Sequence, residues 1–79
     1  MKIIRTDPFK DDYKRLEKHI QKKIEKQLRF LIENPRHPSL QSRKLTKDIW
    51  YARVNDNYRF TFWKKGDTFI LRSVGPHPK

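Results

Sequence analysis

Three arginines in the second half of the chain have the spacing to form a row on one face of a β-sheet: Arg53, Arg59 and Arg72. Around them apolar and polar side chains alternate, which predicts strands with one buried face. A three-residue loop at residues 55–57 would place Arg53 opposite Arg59. A two-residue loop at residues 65–66 would then place Arg59 opposite Arg72. The sequence therefore predicts three guanidinium groups side by side across three neighbouring strands.

A row of arginines is suited to binding an anion. Like charges directly opposite one another destabilise a sheet, so the row predicts an anion between the guanidinium groups. Their planar, forked donors match a phosphate well. Tyr51, Trp63 and Ile70 are expected on the same face, and such a mixture of charge and stacking surface is typical of sheets that bind RNA. The alternative for each arginine taken singly is a solvated side chain or a pair with a nearby carboxylate.

The composition also favours a polyanionic partner. The chain has 79 residues, with 20 lysines and arginines against 9 aspartates and glutamates, and its formal net charge is +11. This length predicts one domain spanning residues 1–79. The positive charge favours nucleic acid as the partner, ahead of an acidic protein and an anionic membrane surface. No apolar run approaches the roughly 20 residues of a membrane span, so we expect a cytoplasmic protein with no membrane partner.

Several kinds of chemistry are excluded by what the sequence lacks. There are no cysteines, which excludes disulfides, cysteine-ligated zinc and thiol nucleophiles. The 2 glycines are too few for a glycine-rich phosphate-binding loop. The 3 histidines are scattered without the spacing of metal ligands, so we expect neither a metal nor a cofactor.

The first half of the chain predicts a short strand followed by two helices. Residues Lys2–Arg5 form the strand, and Asp7 followed by Pro8 predicts a helix start capped by the aspartate. Apolar residues at helical spacing then form two sets, with a break near Lys18, and Pro35 ends the second helix. The first set is Phe9, Tyr13 and Leu16, and the second is Ile20, Ile24, Leu28, Leu31 and Ile32.

The helices are expected to pack on the sheet formed by the second half. Residues 35–48 are a polar connector in which Leu40 and Leu45 are expected to reach the core. The three strands after it predict an antiparallel β-meander. The predicted fold class is therefore α+β: an N-terminal strand and a two-helix hairpin packed on an antiparallel meander, with the other sheet face free for a ligand.

Several segments of the chain resemble the RelE/ParE toxin superfamily. They are ENPRHP at residues 33–38, RKL at 43–45, ARVNDNYRF at 52–60 and SVGPH at 73–77. The most specific points are the pair Tyr58-Arg59 on the central strand and His77 after a strand-final glycine. The resemblance spans nearly the whole chain and implies a RelE-like, microbial ribonuclease-type fold.

Members of this superfamily are toxins of type II toxin–antitoxin pairs. The resemblance implies a metal-independent endoribonuclease that cleaves messenger RNA in the ribosomal A site and so inhibits translation. The 2′-hydroxyl of the substrate would be the nucleophile, and a cyclic phosphate the product. The implied partners are a cognate antitoxin protein, messenger RNA and the ribosome. One alternative is a ParE-like poison of DNA gyrase, and another is a basic nucleic-acid-binding module without catalysis.

The resemblance also implies roles for individual residues. Arg59 matches the arginine that stabilises the scissile phosphate, Arg53 matches a basic residue of the neighbouring strand, and His77 matches a C-terminal histidine that acts as general acid or base. The residues expected to bind RNA are Arg43, Lys44, Lys47, Tyr51, Trp63 and Arg72. Of these, Arg72 has no family counterpart and is included on register alone. Family members commonly carry an aromatic residue shortly after the histidine, and the two residues that follow His77 in this sequence are Pro78 and Lys79.

Overall fold

The computed structural model describes residues 2–76, which form a five-stranded mixed sheet with two helices on one face. In chain order the elements are β1 (Lys2–Arg5), α1 (Asp7–Lys14), α2 (Lys18–Glu33), a short 3₁₀ helix (Pro38–Leu40), β2 (Arg43–Lys44), β3 (Ile49–Arg53), β4 (Tyr58–Lys65) and β5 (Thr68–Pro76). The strand order is β1-β5-β4-β3-β2, with β1 parallel to β5 and the other pairs antiparallel. The α+β class is as expected, and the connector adds β2 at one edge.

The first helix is capped by Thr6, so the predicted cap at Asp7 is wrong. The Thr6 hydroxyl accepts a hydrogen bond from the Phe9 backbone N–H at 3.4 Å and donates one to the Leu71 carbonyl at 2.6 Å. A hydroxyl can do both, whereas an ionised carboxylate has no proton to donate. The predicted break between the helices is confirmed at residues 15–17. Within residues 2–76 no helix is long and apolar enough to cross a membrane.

The core lies between the helices and the inner face of the sheet. Its buried apolar residues are Phe9, Ile20, Ile24, Leu28, Leu31, Leu40, Ala52, Val54, Phe60, Phe62, Phe69, Leu71 and Val74. Two predicted core residues are exposed instead, Ile32 at 43% and Leu45 at 57%. Ile32 is the outermost member of the apolar stripe at 100° per residue. Leu45 lies in the turn between β2 and β3, at the edge of the sheet.

The predicted register between β3 and β4 is confirmed. Trp50 lies opposite Phe62 and Ala52 opposite Phe60, and the three residues 55–57 form the first hairpin turn. The apolar side chains of both strands thus face the helices, because a slip of one residue would turn them outward. A further consequence is that Arg53 lies directly opposite Arg59 on the outer face, as predicted.

The predicted register between β4 and β5 is wrong. The second hairpin turn is formed by residues 66–67, where Gly66 has a φ of +58° that suits glycine. Trp63 therefore pairs with Ile70, and a β-bulge follows at Arg72. Beyond the bulge, Arg59 pairs with Gly75. The row of three neighbouring arginines is consequently reduced to a pair.

Candidate nucleic-acid interface

The outer face of the sheet, away from the helices, is divided into three rows by the strand register. At the end near the first hairpin turn, Arg53 and Arg59 form the arginine pair. Next to it is a hydroxyl row of Tyr51, Thr61 and Ser73. At the other end lies an apolar row of Ile4, Ile49, Trp63 and Ile70. One strip of sheet therefore runs from positive charge, through hydroxyl groups, to apolar surface.

The first hairpin turn holds both members of the arginine pair. The Arg53 guanidinium pairs with the Asp56 carboxylate, which lowers the pKa of Asp56 through this hydrogen bond and charge. The Arg59 Nη1 donates to the carbonyl oxygens of Asn55 and of Tyr58, the latter at 2.9 Å. A guanidinium has five N–H donors, so these contacts orient each group and leave other donors for a ligand. The pair can thus bind a phosphate without first being ordered.

The backbone under the arginine pair is held by a buried residue that sequence reasoning missed, Gln27. Its Nε2 donates to the Arg53 carbonyl at 2.7 Å and to the Ser39 carbonyl at 3.2 Å, and its Oε1 accepts from the Ser39 hydroxyl at 3.2 Å. Gln27 is fully buried. The available signal was a polar residue within the apolar stripe of α2, three residues after Ile24 and four before Leu31.

Arg72 lies at the apolar row and not beside Arg59. Its guanidinium carbon lies 4.8 Å from the centroid of the Trp63 ring, within range of a cation–π contact. The Arg72 Nε is buried and has no hydrogen-bond partner among residues 2–76. The turn at residues 66–67 is the main reason for this placement, because its register brings Arg72 to the level of Thr61 instead of Arg59, and the β-bulge at Arg72 separates the two arginines further. Arg72 and Trp63 together give a charged aromatic surface at the far end of the face.

The remaining predicted RNA-binding residues are dispersed. Arg43 lies opposite Tyr51 at the outer edge of the hydroxyl row. Lys44 pairs with Trp50, and its Nζ lies 5.7 Å from the centroid of that ring. Lys47 is exposed beyond β2. The predicted site residue His77 lies outside the described residues. In the described part of the chain, no group of three potential ligands could hold a metal ion.

Comparison with known proteins identifies the family. The sequence model of the ParE toxins of type II toxin–antitoxin systems (parDE) matches residues 3–77. The chain belongs to this family. The resemblance to the RelE/ParE superfamily is thereby confirmed. A search of curated protein sequences finds no match to this toxin.

Solved structures show that the fold of the toxin is shared across the superfamily. A YoeB/ParE toxin from Agrobacterium tumefaciens has a TM-score of 0.81 at 21% identity, covering 99% of this chain and 100% of that one. The toxin–antitoxin complex RelBE from E. coli gives a TM-score of 0.78 at 15% identity, covering 99% and 98%. The RelB–RelE complex from Methanococcus jannaschii gives 0.75 at 25% identity, covering 92% and 88%. At such identities the likeness establishes the fold.

Proposed function

We propose that this toxin is a metal-independent endoribonuclease that cleaves messenger RNA in the ribosomal A site. The observation that carries the proposal is the arginine pair, in which Arg53 and Arg59 lie opposite each other and are oriented by one turn. Two fixed cations on neighbouring strands suit a phosphate whose charge increases in the transition state. The resemblance to RelE-like toxins supplies the reaction, and the net charge of +11 favours binding to ribosomal and messenger RNA.

The proposed reaction needs no water and no metal. The 2′-oxygen of the substrate attacks the adjacent phosphorus, the bond to the 5′-oxygen breaks, and a 2′,3′-cyclic phosphate and a 5′-hydroxyl result. Arg59 stabilises the negative charge on the phosphorane, and Arg53 adds to the local positive potential. One proton leaves the 2′-hydroxyl and one reaches the 5′-oxygen, and we assign one of these transfers to His77 on the resemblance alone.

We further propose that the toxin is neutralised by a cognate antitoxin. Toxin–antitoxin complexes are among the structures it resembles, including RelBE from E. coli and YoeB–YefM from Staphylococcus aureus. A chain with a net charge of +11 attracts a partner with acidic segments.

Primer extension on a translated message tests the nuclease. The toxin and its Arg59→Ala variant are added to a translation reaction and to the same message without ribosomes. We expect cuts within codons that require ribosomes and disappear in the variant. Cuts that persist in Arg59→Ala would refute the assigned role of the arginine, and the absence of any cut by the unaltered toxin would refute the nuclease.

The second candidate function is poisoning of DNA gyrase, which the match to the ParE family model favours. In that case the toxin is a binding inhibitor and cleaves no bond itself. Supercoiled plasmid is incubated with gyrase, ATP and the toxin, and then denatured with detergent. Accumulation of linear DNA together with intact message would replace the first proposal by this one.

A further inference from the structure

A cavity of about 560 Å³ opens on the inner side of the sheet, beside the C-terminal end of α2. It lies on the opposite face from the arginine pair, because Trp50, Phe62 and Phe69 alternate with the outward-facing residues of their strands. Its lining residues are Leu31, Asn34, Pro35, Arg36, His37, Pro38, Gln41, Ser42, Trp50, Phe62, Lys64 and Phe69. Its volume is in the range of sites that hold a ligand or a few side chains.

The cavity combines apolar walls with a positively charged rim. Leu31, Phe62 and Phe69 are core residues that form its floor, and Trp50 is a half-buried wall. The cations at the rim are Arg36 and Lys64, both exposed. Among the residues that the structure describes, no carboxylate lines the cavity. An occupant that suits both parts must be apolar at its centre and negatively charged around it.

Of two polar side chains of the connector that line the cavity, His37 is paired within the chain and Ser42 is not. The His37 ring is stacked on Phe30 at a centroid distance of 3.9 Å and accepts a hydrogen bond from the Ser39 backbone N–H at 3.1 Å. The Ser42 Oγ is buried and has no hydrogen-bond partner within residues 2–76. A buried polar group without a partner is costly, so a ligand that reaches it contributes to its own binding.

We propose that this cavity binds a segment of a partner protein that carries one bulky apolar side chain flanked by carboxylates. The apolar side chain packs against the partly exposed Trp50, above the buried floor, and the carboxylates pair with Arg36 and Lys64. Charge complementarity favours this occupant over a basic or neutral segment. It also fits better than a nucleic-acid strand, which is charged along its length and would meet apolar groups on the cavity floor. The proposal does not depend on the nuclease activity.

The location of the cavity implies that this partner and RNA bind the toxin together. The arginine pair faces the other side of the sheet, so an occupant of the cavity leaves Arg53 and Arg59 uncovered. The segment that fills the cavity is therefore an attachment point, distinct from any segment that blocks the arginine pair.

Nuclear magnetic resonance with the ¹⁵N-labelled full chain tests the proposal, because the 2 tryptophans lie on opposite faces. Trp50 lines the cavity, and Trp63 lies in the apolar row and serves as the internal reference. The probe is the pentapeptide acetyl-EELEE-amide, and the comparison peptides are acetyl-KKLKK-amide and acetyl-EEGEE-amide. We expect EELEE to shift the Trp50 indole resonance saturably below about 5 mM, with Trp63 unmoved. The absence of a shift, or equal shifts with all three peptides, would overturn the proposal.

A matched pair of charge reversals locates the contact. Lys64 lines the cavity and its neighbour Lys65 does not, although both are exposed on β4. We expect Lys64→Glu to weaken binding of EELEE about 10-fold or more and Lys65→Glu to weaken it much less. Equal weakening would mean attraction by net charge alone and would refute a specific site. A single-stranded RNA that loses its affinity for the peptide-saturated toxin would refute simultaneous binding.

Discussion

The two hairpin turns of the sheet position their strands in different ways. The first, at residues 55–57, is closed by side chains: Asn55 Oδ1 accepts two backbone N–H bonds at 2.9 Å each, and the Arg59 guanidinium donates to the Asn55 carbonyl. The second, at residues 66–67, has the left-handed Gly66, and its strands shift register at a bulge. The first turn therefore brings Arg53 and Arg59 together. The second turn and the bulge place Arg72 away from them.

This difference explains why the outer face has two unlike ends. Near the first turn, Arg53 and Arg59 are neighbours and are oriented by turn atoms. On the other side of the hydroxyl row, Arg72 contacts the Trp63 ring. The arginine pair at the first end would suit a phosphate, and the Trp63 ring at the second end would suit a stacked base.

Replacing the arginines distinguishes the two ends of the outer face, and we expect it to change the cleavage rate more than any other substitution proposed below. Arg59→Ala should lower the rate of message cleavage about 10²- to 10³-fold, because it removes a fixed cation from the phosphate in the transition state. Arg72→Ala removes an equal charge at the other end and should lower the rate less than about 10-fold. Both rates are measured by primer extension at equal toxin concentration, with circular dichroism to check folding. Equal losses in the two variants would contradict the assignment.

The next effect concerns the backbone beneath the arginine pair. Gln27→Ala should reduce the free energy of unfolding by about 1–3 kcal/mol, because it leaves the part-buried carbonyl groups of Arg53 and Ser39 without their donor. Urea denaturation measures the change. The exposed Lys22→Ala on the same helix is the control and should stay within about 0.5 kcal/mol. A loss in Gln27→Ala no larger than that of the control would show that the amide does not stabilise this end.

The second turn can be tested at Gly66, with Gly75 near the other end of β5 as the comparison. Gly66→Ala should destabilise the fold by about 1 kcal/mol, because an alanine with a φ of +58° is strained. Gly75→Ala is the matched control, since a Cβ at either glycine meets no atom within 4 Å. Thermal unfolding of both variants measures the difference. The same unfolding temperature in both would show that the turn tolerates an L residue.

The smallest effect that we expect is a pH dependence of the free energy of unfolding, caused by an ion pair at the β1 edge. Arg5 donates to both carboxylate oxygens of Glu25, at 2.6 and 2.9 Å, and this pairing lowers the pKa of Glu25 from its ordinary 4.5. Because the folded pKa is below the unfolded one, the stabilisation is complete above about pH 4.5 and is lost as the pH falls through the folded value. The partly exposed pair should contribute less than about 1 kcal/mol.

Glu25→Gln isolates that effect. Its free energy of unfolding should fall less than that of the unaltered toxin between pH 6 and pH 3, as followed by urea denaturation at each pH. Glu33→Gln is the control, a like substitution at an exposed position of the same helix. If Glu25→Gln and the unaltered toxin lost stability in parallel, the ion pair would have no part in the acid response.

The alternation of apolar and polar residues was enough to predict the register of the first hairpin but not that of the second. Strands β3 and β4 each bury one face, so the three-residue loop followed from the need to align their apolar residues. At the second turn, a shift by two residues keeps every apolar side chain inward, so burial does not distinguish the two registers. One signal was present in the sequence: the apolar residues Phe69 and Leu71 are spaced by two, whereas Val74 follows Leu71 by three. That change of spacing marks the bulge.

The sequence predicted which types of residue form the candidate site, but it predicted few of the contacts between them. The arginine pair followed from the register of the first hairpin, because that register depends on burial. The placement of Arg72 against Trp63 depends on the register set at the second turn and on the bulge, and the hydrogen bonds of Gln27 depend on how α2 crosses the sheet. The cavity forms where the connector, α2 and the strand ends meet. Such contacts are set by tertiary packing, which periodicity does not encode.

We assign phosphate binding to the arginine pair beside the first turn, and the side-chain resonances of the arginines test this assignment. The ¹⁵N-labelled toxin is titrated with a short single-stranded RNA carrying a non-cleavable 2′-deoxy linkage, and the Nε–H signals of Arg53, Arg59 and Arg72 are followed. We expect the signals of Arg53 and Arg59 to shift together with one binding constant, and the signal of Arg72 to shift less. A titration in which Arg72 responds while the pair is unchanged would contradict it.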